Sequence, residues 1–122
     1  MCREALPQLE KAPWAYILNV LTTGAFTVSP GVGMYGASKF GARALTETLI
    51  EEYRNSSVRI SSVSPGPVNT TIWNHKIEPP SEAERGRMIQ PQDIADIFLW
   101  LIDRPHYLHV PDVTVRPWPR PS

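Results

Sequence analysis

A single cysteine, Cys2, is all the thiol this 122-residue chain contains, so no intrachain disulfide can staple its fold. One thiol and no signal-like segment together predict a reducing, cytoplasmic setting. The amino terminus reads Met1-Cys2-Arg3-Glu4 and reaches Pro7 before any apolar run can build. Long apolar runs are lacking as well. The longest, Ile97-Phe98-Leu99-Trp100-Leu101-Ile102, falls far short of the membrane-span requirement of roughly 20 residues. It reads instead as a buried helix face, and no membrane partner is expected. Charge of one sign is not in excess either, because twelve Lys and Arg balance twelve Asp and Glu. A nucleic-acid surface needs clustered basic residues, and here no two are adjacent. The histidines His75, His106 and His109 lack metal-ligand spacing, and Cys2 has no His or second Cys near it, so no metal site is expected.

What is present suits one globular domain, with 42% hydrophobic residues to build a core. That domain is expected over residues 1–117, with a frayed proline-rich tail at 118–122. A short helix at the amino terminus precedes Trp14 to Leu21, a near-continuous apolar run that predicts a strand covered on both faces. Thr22 to Gly33 reads as loop. From Met34 to Arg54 the pattern turns helical, with Phe40, Ala44, Leu45, Thr48 and Leu49 recurring at three- and four-residue steps. Val58 to Ser64 is a second strand, stopped by Pro65-Gly66-Pro67. Asn69 to Ile89 reads as an irregular polar lid. Gln90-Pro91-Gln92-Asp93 starts a helix running to about Asp103, and Val110 to Val115 closes the chain as a strand. Alternating strands and helices predict an α/β fold built on a mostly parallel sheet.

Gly31-Val32-Gly33-Met34-Tyr35-Gly36 matches the dinucleotide fingerprint G-x-G-x-x-G letter for letter. The fingerprint belongs on the tight turn directly after a strand. Here a long loop containing Pro30 intervenes, so the glycines read as loop and helix start.

Tyr35 and Lys39 lie four residues apart on one predicted helix, which places both on one face. A phenol ordinarily titrates at about pH 10. A neighbouring ammonium favours the phenolate and brings a tyrosine toward useful proton transfer. That spacing alone occurs in many helices.

The surroundings are more specific. Tyr35-Gly36-Ala37-Ser38-Lys39-Phe40 resembles the Y-x-A-S-K-F stretch of short-chain dehydrogenases/reductases. Ile17 to Gly24 looks like that family's strand-end segment I-V-N-V-S-S-x-A-G. Val58 to Thr70 is similar to its V-R-V-x-x-I-x-P-G-x-V-x-T segment, and Gln90 to Ala95 to its P-E-D-I-A helix start. Val110 to Pro117 resembles the closing strand of one branch. The five segments follow the family order.

The resemblance implies roles at matching positions. Tyr35 would exchange a proton with the substrate oxygen, and Lys39 would assist it and hydrogen-bond the nicotinamide ribose. The position of the family's substrate-holding serine, thirteen residues before the tyrosine, is Thr22 here, with Thr23 as fallback. A threonine hydroxyl donates the same hydrogen bond, but its methyl crowds the site and stiffens χ1. Pro65, Gly66, Val68 and Thr70 match the segment that contacts the nicotinamide end of NAD or NADP, so with Tyr35 and Lys39 they form the expected cofactor contacts. Ile72 and Trp73 would either face substrate or anchor the lid. Nothing here matches the family's T-G-x-x-x-G-x-G phosphate turn, its N-A-G segment, or the residue choosing between NAD and NADP. The expectation is therefore a partial Rossmann-like fold, the carboxyl-terminal half without the amino-terminal nucleotide-binding half.

Two readings remain. One is an NAD(P)-dependent oxidoreductase acting on a small carbonyl or alcohol, self-associating through the helix at 34–54. The other is a catalytically silent module that only associates with other subunits.

Overall fold

The computed structural model describes residues 1–119; residues 120–122 of the expected tail lie outside the described residues. Helix α1 (Cys2–Leu9) leads into strand β1 (Ala15–Val20), and a one-turn 3-10 helix (Thr23–Ala25) precedes helix α2 (Gly33–Tyr53). Strand β2 (Val58–Pro65) follows. Then come a 3-10 segment (Thr71–His75), helix α3 (Glu82–Arg85), helix α4 (Pro91–Ile102) and strand β3 (Asp112–Val115). The three strands form one parallel sheet in the order β1-β2-β3. Ala15 lies opposite Val58 and Val20 opposite Val63, while Ser62 lies opposite Asp112. The α/β class, the parallel sheet and the order of the main elements match the sequence expectation.

Side chains alternate across a strand, and the alternation assigns each helix a face. Ala15 and Ile17 of β1 and Val58 and Ile60 of β2 pack with Leu6 and Leu9 of α1 and Leu49, Ile50 and Tyr53 of α2. Toward the carboxyl ends of the strands this face turns polar. Asn19 donates to Thr46 Oγ1 at 3.1 Å, and Ser62 and Ser64 donate to Asp112 Oδ1 at 2.6 Å each. On the opposite face, Arg59 stacks on the Tyr16 ring and donates to the carbonyls of Pro105 and Leu108, holding the segment after α4.

Several expectations need correction. Strand β1 is only half-buried, with Val20 exposed, because it has a neighbour on one side only among the described residues. The apolar run of α4 is not a buried face: Leu101 is fully buried, but Leu99 is 65% exposed, and Trp100 and Ile102 are also open. A three-stranded sheet gives α4 too little surface to cover. In α2 the packed stripe is Ala42, Thr46, Leu49, Ile50 and Tyr53, whereas Phe40, Ala44, Leu45 and Thr48 face outward. Thr46 is the sole buried residue of α2. The lid is not irregular throughout, since it contains α3 and a 3-10 segment. The closing strand begins at Asp112, two residues later than expected.

Candidate active site

Leu21 extends β1 by one more bond, its N–H donating to Val63 O at 2.8 Å, and the chain then leaves the sheet. Thr22 caps the 3-10 turn that follows, its Oγ1 accepting from Gly24 N at 3.3 Å. Among the described residues that hydroxyl donates to no acceptor, so its proton is available to another partner. Gly31 adopts φ 81°, a left-handed conformation that favours glycine, and turns the loop into α2. Glycines at 31 and 33 thus serve the loop and the helix start, away from any strand end.

Tyr35 sits in the first turn of α2 and stays half-exposed. Its ring reaches back across Gly24. A Cβ built on Gly24 would lie 3.2 Å from Tyr35 Cε1 and 3.7 Å from Thr22 Oγ1, so no larger residue fits between them comfortably. Lys39, one turn on, has its Nζ 5.6 Å from the Tyr35 ring centroid. The structure therefore brings Thr22, Tyr35 and Lys39 together. Gly24 is the residue the sequence reading missed, although it closes the segment ending Leu21-Thr22-Thr23-Gly24 that carried the likeness. Beside the cluster lies an apolar cavity of about 460 Å³, bounded by Val28, Val32, Tyr35, Ala37 and Phe40 and lined by no charged side chain.

The segment from Pro65 to Thr70 leaves the sheet at the same end, because β1 and β2 are parallel and Val20 pairs with Val63. Gly66 donates to Val115 O at 2.8 Å, and a Cβ there would come within 3.2 Å of Pro117 Cδ. A side chain there would have to push Pro117 aside by a few tenths of an ångström, so glycine suits that close approach. Val68 forms a parallel bridge with Ile89. Its carbonyl accepts from Trp73 Nε1 at 2.7 Å, which makes Trp73 an anchor of the lid, while Ile72 is exposed. Arg85 ties the lid together by donating to Asn69 Oδ1, Thr70 O and Asn74 Oδ1. Asn69 also donates to Gln90 Oε1 at 3.2 Å. Ser81 and Glu84 form a capping box on α3. The hydrogen bonds from the Ser81 backbone and hydroxyl, aided by Arg87, hold the Glu84 carboxyl below its usual range.

A nicotinamide group, which the family resemblance implies, asks for hydroxyl, ammonium and amide donors near Tyr35. Tyr35, Thr22 and Lys39 supply the first two kinds, and the backbone around Val68 with the exposed Thr70 hydroxyl supplies polar contacts in the neighbouring segment. The residues present suit the nicotinamide end. A phosphate cradle, a glycine turn joining a strand directly to a helix, does not occur among the described residues.

Residues 1–80 match the family model described as short chain dehydrogenase. An uncharacterized oxidoreductase of Staphylococcus aureus strain N315 is 30% identical over 116 residues, covering 93% of this chain and 47% of that protein. A Staphylococcus epidermidis uncharacterized oxidoreductase is 31% identical over 112 residues, covering 92% and 46%. The chain thus spans about half the length of the curated relatives it matches. An alcohol dehydrogenase from the archaeon Thermococcus sibiricus, complexed with 5-hydroxy-NADP, superposes with a TM-score of 0.81 at 25% identity, covering 99% of this chain and 49% of that one. A betaketoacyl-[ACP] reductase from Bacteroides thetaiotaomicron shares the fold, with a TM-score of 0.78 at 23% identity over 96% and 46% of the two chains. Among the described residues no helix is long and apolar enough to cross a membrane.

Proposed function

This chain belongs to the short-chain dehydrogenase family, and from that premise we propose that it carries the proton-transfer half of an NAD(P)-dependent oxidoreductase for small carbonyl or alcohol substrates. The observation that supports this reading is the approach of Tyr35 and Thr22 to each other across Gly24, with Lys39 over the Tyr35 ring. Similarity to an alcohol dehydrogenase complexed with 5-hydroxy-NADP points the same way. Residues 1–117 act as one unit in this reading, with 118–122 as its tail.

Bound NAD or NADP would supply or accept the hydride. Tyr35 Oη would give the proton to the substrate oxygen in reduction, or take it in oxidation. The Lys39 ammonium stabilises negative charge developing on that phenol oxygen and offers donors to the nicotinamide ribose. Thr22 Oγ1 accepts from Gly24 N and keeps its own proton for the substrate oxygen. Pro65, Gly66, Val68 and Thr70 would face the nicotinamide end, held by the anchor of Trp73 on Val68. The apolar side chains of Val28, Val32 and Phe40 beside Tyr35 would favour an uncharged substrate.

The outward face of α2 supports self-association in the same reading. Leu45 is 68% exposed, Gly41 lies one turn before it on the same face, and a Cβ on Gly41 would meet nothing within 4 Å. An uncovered apolar helix face rimmed by small residues is suited to a second helix.

The test is nicotinamide-coupled turnover of an apolar ketone, by this chain complemented in trans with the amino-terminal half of a Staphylococcus aureus relative. Tyr35→Phe is expected to lower turnover by about 10²–10⁴-fold while leaving the complex assembled. No turnover from the complemented wild type, or unchanged turnover in Tyr35→Phe, overturns the proposal.

A further inference from the structure

At the amino-terminal ends of the strands, the end of α2, the start of β1 and the loop after α4 enclose a cavity of about 340 Å³. That volume lies at the small end of the range for ligand sites, about 300–1,000 Å³. The six residues of β1 separate it from Thr22, and a strand of that length spans about 20 Å. It is therefore a different place from the Tyr35 cluster.

The lining is aromatic and basic. Trp14 and His106 pack ring against ring, with centroids 4.8 Å apart, and Tyr53 and Ile50 continue the apolar wall. Arg54 and Arg59 also line the cavity, whereas no Asp or Glu does. This imbalance occurs in a chain whose net charge is zero.

Arg59 has no counter-charge among the described residues, and Arg54 has only one loose, solvent-exposed partner. Arg59 donates to Pro105 O at 2.7 Å and Leu108 O at 2.8 Å, and carbonyls satisfy its N–H groups without cancelling its charge. Among the described residues it forms no ion pair. Arg54 approaches one carboxylate, Glu51, at 3.6 Å, with both side chains open to solvent. Exposed pairs of that kind contribute little. The carboxyl end of α2 also points here, and its carbonyls would oppose an anion. Ser56 offsets this by donating to Tyr53 O from both its backbone N–H, at 2.9 Å, and its hydroxyl, at 2.8 Å.

We propose that this cavity is a second binding site, remote from the Tyr35 cluster, that takes a small aromatic carboxylate. The carboxylate would pair with the planar fork of Arg54 in the field of Arg59. The ring would lie against the Trp14 wall, where an apolar body gains from burial and stacking. A bare inorganic anion would leave that wall unused, and a neutral aromatic would leave both guanidinium groups without a counter-charge.

Benzoate titrated into the full chain, followed through the indole N–H resonances and the Ser57 amide, tests the site. The Trp14 signal is assigned by its loss in Trp14→Phe. A saturable shift of Trp14 and Ser57 is expected, with a Kd of about 1 mM or tighter. Arg54→Gln, at an exposed position, is expected to weaken binding about two- to fivefold, and Tyr35→Phe to leave it unchanged. Equal shifts with benzyl alcohol, equal shifts with inorganic phosphate, or no saturation at tens of millimolar benzoate would each overturn the proposal.

Discussion

Replacing Asp112 by Ala removes the acceptor on which three hydroxyl groups converge. Ser62 and Ser64 donate to its Oδ1 and Thr114 to its Oδ2, each at 2.6 Å. The three donors are not equally dependent on it. Ser64 is fully buried and has no second acceptor among the described residues, so it bears the whole penalty of an unpaired buried hydroxyl, about 1–3 kcal/mol. Ser62 is also buried but has Pro111 O at 3.4 Å as a poor substitute, so its share is about 1 kcal/mol. Thr114 is exposed and turns to water. The sum, about 2–4 kcal/mol, is a large part of an ordinary domain stability of about 5–15 kcal/mol. Urea unfolding of the full chain measures it, and amide exchange at Val113 should accelerate, because β3 is held to β2 along this polar row. The discriminating measurement is a double-mutant cycle. If Ser64 bears the penalty as described, Asp112→Ala with Ser64→Ala costs about 1–3 kcal/mol less than the two singles summed. Additivity to within about 0.5 kcal/mol would refute the reasoning.

Other consequences can be checked separately. Gly41→Ala places a methyl in open space on α2, so the isolated fold should gain about 0.5–1 kcal/mol from helix propensity. Self-association through that face should weaken, as sedimentation would record, and an unchanged association constant would count against α2 as the interface. Glu84, held below its usual 4.5, binds fewer protons in the folded lid than when unfolded. Its contribution is therefore fully present above pH 4.5 and is lost as pH falls through the depressed folded value. The Ser81 and Glu84 amide resonances should record that loosening, and an onset above pH 4.5 would contradict the cap. Trp73→Phe deletes the bond to Val68 O and should destabilise the lid by about 1 kcal/mol. Faster amide exchange at Asn69 and Ile89, with β1 and β2 unaffected, is the expected signature.

The strands and the two long helices were legible because each is written locally: an apolar run for β1, a proline start for α4, and Pro65-Gly66-Pro67 to stop β2. The candidate cluster was legible through the spacing of Tyr35 and Lys39 and the family likeness around them. What sequence could not supply was the choice of buried face. On α2 the more apolar residues, Phe40 and Leu45, point outward, while Thr46 is buried through its bonds to Asn19 and Ala42 O. Hydrophobicity marks surface that prefers cover, not which of two neighbours provides it. The row on Asp112 was equally hidden, since its two buried partners, Ser62 and Ser64, lie about fifty positions away. Helix α3 does carry a local sign, because Ser81 followed at the third position by Glu84 is a capping-box pattern.

The outer edge of β1 bears on how the chain behaves in bulk. Ala15-Tyr16-Ile17-Leu18-Asn19-Val20 carries no charge and no proline, and one side of its backbone is unpaired among the described residues. Such an edge is a template for strands of other molecules. The number of competing strands rises with protein concentration, whereas the rate of intramolecular folding does not. Recovery of native material should therefore fall as refolding is made more concentrated, and rise when a charged residue is placed at Val20, where the side chain already meets water.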